Sequence, residues 1–326
     1  MKNKPVIGRR DLIKATATIA AVIPVTAAAT AAIGAESAQR DQFAQATEVM
    51  QQAQTTTTLE EVGVGSGTKL TIERRGQVAL LGLNRPAAEN RIDPETFRAL
   101  AKALYGYDHD PSLRAAVLFG HGERFSRGID VEAYKAVANS GGPLAGLTRI
   151  VNPLNYGPAL RRKPLIAAVH GDTWNLAHEL FLSADLRVAA ADTNFGQDEN
   201  AHGRFPGGGS TVRFVHEAGW GNAMRYMLTG DHWTAEDAYR MGTLQEIVET
   251  AQDAFDRAIE IANKISACAP LGVTTTLASA HFAVDSGDAE AFSKLGGQYA
   301  ALYRTEDFIE GLAAQAEGRP PVFHGN

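Results

Sequence analysis

From residue 68 onward the chain carries short runs of consecutive apolar residues, separated by glycine, proline and charged turns, a pattern of strands buried on both faces. Leu70–Arg74 and Val78–Leu83 predict two strands joined through an Arg75-Gly76 turn. Asn84-Arg85-Pro86 breaks the sheet, and Asp93-Pro94-Glu95 predicts a helix start, with aspartate as the cap and proline at the first helical position. Ala115–Phe119 predicts another buried strand, leading into the polar stretch from Gly120 to Asp130. Leu165–Val169 predicts a strand that breaks at His170-Gly171, and Ala177–Ala184 a helix carrying Glu179. Leu186–Ala190 and Asn194-Phe195 predict two more strands, the second running into Gly196 and a further acid, Glu199. Later segments are mostly helical. A helix and a strand reversal bring the two glutamates back towards each other, so they could serve one substrate as acid and base.

Composition narrows the class. The chain has 326 residues, 44% hydrophobic and 21% charged, enough for one large α/β domain or two small ones. A net charge of −6 argues against a nucleic-acid partner, because no basic stripe is available to neutralise phosphates. Cys268 is the single cysteine, which excludes an intrachain disulfide and carries no zinc signature; its context predicts a helix packing position. The sequence contains no internal repeat.

The first residues read as an address. Gly8-Arg9-Arg10-Asp11-Leu12-Ile13-Lys14 precedes an Ala/Thr/Ile/Val run from Ala15 to Ile33, with small residues at Ala27-Ala28-Ala29 and Ala32-Ile33-Gly34 for cleavage. Residues 1–35 thus resemble a twin-arginine export signal, which implies handling by that export machinery and a periplasmic or secreted protein, or a cytoplasmic one where the signal goes unused. The alternative is an uncleaved membrane anchor, weakened by the threonines and Pro24. Residues 36–67 read as a polar linker with one short helix at Phe43–Gln52.

A longer pattern follows. Lys163-Pro164, Ala167-Ala168-Val169, Gly171, Glu179-Leu180, Asp185, Phe195-Gly196-Gln197, Glu199 and Pro206-Gly207-Gly208-Gly209 occur in one order within 47 residues. With Asn84-Arg85-Pro86 to Asn90, Tyr226–Gly230, Ala235–Ala238, Gly242–Val248 and Glu306–Phe323, this resembles the crotonase superfamily, the enoyl-CoA hydratase/isomerase family. The resemblance implies an α/β ClpP/crotonase-like fold: repeated β-β-α units in a spiral core over residues 68–260, then a helical trimerisation region over 261–326. It also implies a homotrimer or homohexamer, no metal or redox cofactor, and CoA only as part of the substrate.

The family's site residues carry over by position. An enolate oxygen needs two backbone N–H donors aimed at it, one of them at a helix N-terminus. The resemblance assigns these to Ile129, within Gly128-Ile129-Asp130, and to Leu176, within Asn175-Leu176-Ala177. The second segment replaces three glycines of the family. Glycine permits close approach and unusual dihedral angles that leucine and alanine restrict, so the hole is either retained by a helix starting at Leu176 or reshaped for another carbonyl compound. Glu179 and Glu199 match the two hydratase glutamates. Against this stands the commoner fate of a glutamate, an exposed helix charge. By the same resemblance Asn84, Arg85, Gly128, Asp130, Asn175, Pro206 and Gly207 fall at substrate-binding positions. Pro206–Gly209 also resembles a phosphate-cradling turn but lacks the lysine of a P-loop.

The resemblance thus implies an enoyl-CoA hydratase-type lyase that adds or removes water with Glu179 and Glu199 as its acid/base pair, and two further readings stand beside it. Export fits poorly with CoA thioesters, a cytoplasmic currency, and some superfamily members cleave carbon–carbon bonds of β-diketones without CoA, using histidine and acid residues. His178, His202 and Asp198 are the alternative catalytic residues of that branch, with Asp172 a spare acid; His121 and His170 lie in the same loops. The remaining reading is a non-catalytic binding protein that keeps the fold alone.

Overall fold

The computed structural model describes residues 69–137 and 141–326. The expected signal, residues 1–35, and the linker at 36–67 with its helix lie outside the described residues. Strand β1 (Leu70–Arg75) pairs antiparallel with β2 (Val78–Leu83), Leu70 opposite Leu83, after a turn whose Gly76 takes φ +58°. From β2 the sheet continues in parallel through β3 (Ala115–Gly120), β4 (Leu165–Val169), β6 (Leu186–Ala190) and β9 (Glu246–Val248).

The continuous apolar runs have a direct cause in this layering. Val78, Leu80, Ala115, Val117, Ile166 and Ala168 face one side of the sheet and pack on helix α7 (Ala251–Ser266). Ala79, Leu81, Leu83, Ala116, Leu118, Leu165, Ala167 and Val169 face the other and join the main core. Successive side chains alternate across the sheet, so a strand covered on both faces must be apolar at every position. Helix α7 presents Ala254, Ala258, Ala262 and Ser266 to the sheet, all buried and four residues apart. Small side chains on that stripe let the helix lie close. Its start is fixed by a reciprocal capping box between Thr250 and Asp253. Residue 260, where the sequence places the end of the core, lies within this helix.

A second layer is built by stepping out of each strand. After β4 come β5 (Asp172–Trp174) and helix α3 (Leu176–Ser183); after β6 come β7 (Asn194–Gly196), a 3₁₀ turn at Glu199–His202 and helix α4 (Ser210–Ala218). β5 pairs with β7 in parallel, and β7 with β8 (His232–Thr234) antiparallel. Single bridges Ile92–Ile129 and Ser126–Thr173 carry the layer back to the earlier turns, which include helices α1 (Pro94–His109) and α2 (Val131–Lys135). These are the expected β-β-α units. Asp93 caps α1 through the Thr96 amide, with Pro94 at the first position, as its sequence predicts.

Helices α5 (Trp220–Thr229) and α6 (Ala235–Met241) lead to β9. The chain ends in α8 (Pro270–Ser286), α9 (Asp288–Leu302) and α10 (Glu306–Glu317). Helix α8 has no buried residue and α9 only Ala291, while Val284, Phe292, Leu295, Tyr299, Tyr303, Ile309 and Leu312 are exposed. Cys268 corrects an expectation: it lies exposed in the turn after α7, where proline at 270 starts a new helix, and packs in no helix.

Candidate active site

Glu179 lies one turn into α3 and is almost fully buried. Its Oε1 accepts the amides of Gly208 (2.6 Å) and Ser210 (3.2 Å), the turn that opens α4. A methyl group at Gly208 would stand 2.2 Å from Oε2, so only glycine lets this turn close on the carboxyl. Burial, then the charge of Glu199, push the carboxyl up to about 7 against the pull of those two amides. Glu199 opens the 3₁₀ turn after β7 and is also buried, its Oε2 without a hydrogen-bond partner among the described residues. Burial first, then the charge of Asp198, raise it to about 7 as well. Two carboxyls that each titrate near neutrality can hold one proton between them, giving an acid and a base in one site.

The two expected oxyanion turns touch. A Cβ on Gly128 (φ +80°) would lie 2.6 Å from the Trp174 carbonyl and 3.2 Å from the Leu176 nitrogen, so glycine is required where one turn crosses the other. Gly128 is tied back by the Ser126 hydroxyl, which accepts its amide at 3.0 Å and donates to the Asn90 carbonyl at 2.7 Å. Among the described residues, neither the Ile129 nor the Leu176 N–H donates to a protein acceptor. Leu176 is the first residue of α3, where amides have no partner within the helix and the dipole favours negative charge. The segment that lost its glycines keeps a glycine backbone: Asn175 adopts φ +55°, ψ −121°.

The remaining expected residues divide. Arg85 bonds the Arg91 carbonyl and lies 3.4 Å from both Asp93 and Asp130, while Asp130 caps α2 through the Ala133 amide. The Asn84 amide continues the pairing to Lys69 (2.9 Å). Pro206 is buried and Gly207 exposed in the turn that approaches Glu179. Asp172 pairs with Arg127 (2.7 Å). His178, beside Glu179 in sequence, points elsewhere: it is fully buried among Phe181, Phe195, Phe214 and Trp233, and among the described residues neither ring nitrogen has a hydrogen-bond partner. Burial drives its pKa to about 3 and keeps the ring neutral. His202 is exposed and bonds the Asp198 carbonyl at 2.9 Å. His170 holds Gly122 O at 3.0 Å, and His121 the Thr71 hydroxyl at 2.7 Å.

Several residues at the site escaped the sequence reading. Arg213 on α4 donates to Asn155 O (2.7 Å) and interacts with Glu179; burial and then Arg161 and Arg187 lower its pKa. Tyr156, on the loop before β4, is raised by partial burial and by the charge of Glu179. His232 on β8 reaches Asp198 at 3.4 Å and Asn194 at 3.0 Å, and packs on Trp174. Among the described residues no group of three or more His, Cys, Asp or Glu could hold a metal ion.

Comparison with known proteins bears on the family and the fold. Residues 73–326 match the profile of the enoyl-CoA hydratase/isomerase family. An enoyl-CoA hydratase of Mycobacterium tuberculosis is 35% identical over 263 residues, covering 80% of this chain and 98% of its own. A carnitinyl-CoA dehydratase of Salmonella enteritidis is 33% identical, covering 78% and 98%. Among solved structures, a probable enoyl-CoA hydratase/isomerase from Mycobacterium abscessus superposes with a TM-score of 0.75 at 42% identity, covering 79% of this chain and 99% of that one. An enoyl-CoA hydratase from Mycobacterium marinum gives 0.72 at 32%, covering 80% and 100%.

Proposed function

The chain belongs to the enoyl-CoA hydratase/isomerase family, and from that premise we propose that it adds water to, or removes it from, an acyl-CoA thioester. The substrate carbonyl sits between the Ile129 and Leu176 N–H groups. Glu179 and Glu199, one ionised and one neutral, hold a water against the double bond. The carboxylate takes a proton from that water as the oxygen bonds to the β-carbon. The double-bond electrons move to the thioester carbonyl, and the enolate is stabilised by the two N–H donors. The neutral glutamic acid then delivers its proton to the α-carbon. Water has been divided across the bond, and the two carboxyls have exchanged protonation states. No further cofactor takes part in this scheme.

The observation that carries the reading is the pair of buried carboxyls, both raised to about 7. A scaffold protein has no use for two costly buried acids, which weighs against a non-catalytic role. The diketone branch finds little support in His178, sealed in an aromatic core, or in the exposed His202. Calorimetric titration of the chain with acetoacetyl-CoA tests the thioester reading. Micromolar binding supports it, and no binding at millimolar ligand contradicts it.

Two further parts of the proposal concern assembly and address. The exposed apolar side chains of α8, α9 and α10 support a homotrimer or homohexamer buried along that face. Light scattering that finds only monomer at micromolar concentration would remove this part. Residues 1–35 keep the order of a twin-arginine signal, so the precursor is proposed to pass through that machinery. Cell fractionation in which changing Arg9 and Arg10 to lysine leaves the distribution unaltered would refute it.

A further inference from the structure

Asn175 combines three observations. It takes φ +55°, ψ −121°, a backbone region open to glycine and costly for other residues. It is the N-cap of α3, yet its side chain caps nothing, although asparagine is among the preferred capping residues. That side chain is spent instead on Asp198: Asn175 Nδ2 donates to Asp198 Oδ1 (2.8 Å) and Asn175 Oδ1 accepts the Asp198 amide (3.0 Å). Asp198 is held in turn by His232 (3.4 Å) and directly precedes Glu199.

The peptide between Asn175 and Leu176 is pinned from its other end as well. Its carbonyl accepts the Glu179 amide at 2.9 Å. Two backbone carbonyls face the Gln197 amide, so the Gln197 nitrogen belongs on that side, donating to Asn175 O (3.2 Å) and Gly196 O (3.3 Å) while its oxygen accepts the Ser210 hydroxyl (2.7 Å). A peptide is planar and trans, so fixing its C=O fixes its N–H. The N–H in question is that of Leu176.

We propose that Asn175 and Asp198 are positioning residues that hold the Leu176 N–H in its oxyanion orientation, replacing the conformational freedom of glycine with a side-chain clamp. The clamp also joins the oxyanion turn to the loop that carries Glu199, so the two halves of the chemistry move as one body. This rests on the thioester reading for its kinetic consequence, while its structural consequence stands without it.

The test is a cycle of Asp198→Ala, Asn175→Gly and the double variant, each read by crystallography and by hydration kinetics. In Asp198→Ala the expected result is rotation of the 175–176 peptide, read as a change of the Asn175 ψ from −121°, and a fall in kcat of about 10- to 100-fold, with a smaller change in KM. In the Asn175→Gly background the same Asp198→Ala change leaves the peptide in place and costs at least about fivefold less. Asn175→Gly also keeps more kcat than Asn175→Ala, since only glycine accepts the dihedrals unaided. An unmoved peptide in Asp198→Ala, or equal losses in both backgrounds, overturns the clamp. Failure of the thioester reading shows differently: wild type then turns over no enoyl thioester, and the crystallographic arm alone decides the clamp.

Discussion

The amide of Gly208 lies 2.6 Å from Oε1 of Glu179, and a methyl group on the same glycine would lie 2.2 Å from Oε2. One residue thus supplies the contact that orients the carboxyl and, by lacking a side chain, the space it occupies. Gly208→Ala should displace the Glu179 carboxyl while the fold survives, because the clash is with the far end of a side chain and not with backbone. The expected result is a loss of about 10²-fold in kcat, with the far-ultraviolet circular dichroism of wild type. Activity within twofold of wild type would show that Glu179 has freedom to spare.

The pH dependence follows from the two raised carboxyls. The proposed reaction needs one carboxyl ionised and one neutral, and with both raised to about 7 the pair would be competent only in a window around neutrality. The profile of kcat/KM should be bell-shaped with its maximum between about pH 6 and 8, the acid limb from protonating the base and the alkaline limb from ionising the acid. A plateau extending from pH 5 to 9 is the result this assignment does not allow.

Stability should carry the same signature. Each carboxyl rises from the ordinary 4.5 to about 7 on folding, so between those values the folded chain binds protons the unfolded chain has released. Stability is then highest below about pH 4.5 as far as these groups are concerned, falls as pH rises through 7, and is level above it. Replacing Glu199 by glutamine removes one such contribution, on the order of 1–3 kcal/mol. Urea unfolding at pH 5 and pH 8 should show a smaller loss for Glu199→Gln than for wild type. Parallel losses in the two proteins would mean that Glu199 titrates normally.

Much of this site was legible in the residues. The family resemblance assigns Gly128-Ile129-Asp130, Glu179 and Glu199 to the site, and the structure sets Gly128 against the Leu176 nitrogen and lets the charge of Glu199 act on Glu179. What failed to show was orientation. His178 and Glu179 are neighbours in sequence but about 100° apart around the helix, so one enters the aromatic core and the other the site. A helical wheel through Phe181 and Leu182 could have hinted at this. The replacement of three glycines at Asn175-Leu176-Ala177 leaves a retained and a reshaped hole equally open in the sequence, because a dihedral angle cannot be read from a residue name. Only the structure brings Asp198 to the Asn175 side chain. Arg213, Tyr156 and His232 reach the site from α4, a loop and β8, and nothing local in those segments announces it. Cys268 misled because its apolar neighbours resemble a helix interior, whereas Pro270 ends one helix and begins another.

The most direct test of the account is the absorbance of crotonyl-CoA on adding the purified chain, followed for wild type, Glu179→Gln and Glu199→Gln. The account predicts a fall in absorbance as the conjugated double bond is hydrated, and a loss of about 10²- to 10⁴-fold in rate for each single variant. Undiminished hydration by either variant, or none by a well-folded wild type across short and longer enoyl thioesters, would contradict the claim that two glutamates divide water across the substrate's double bond.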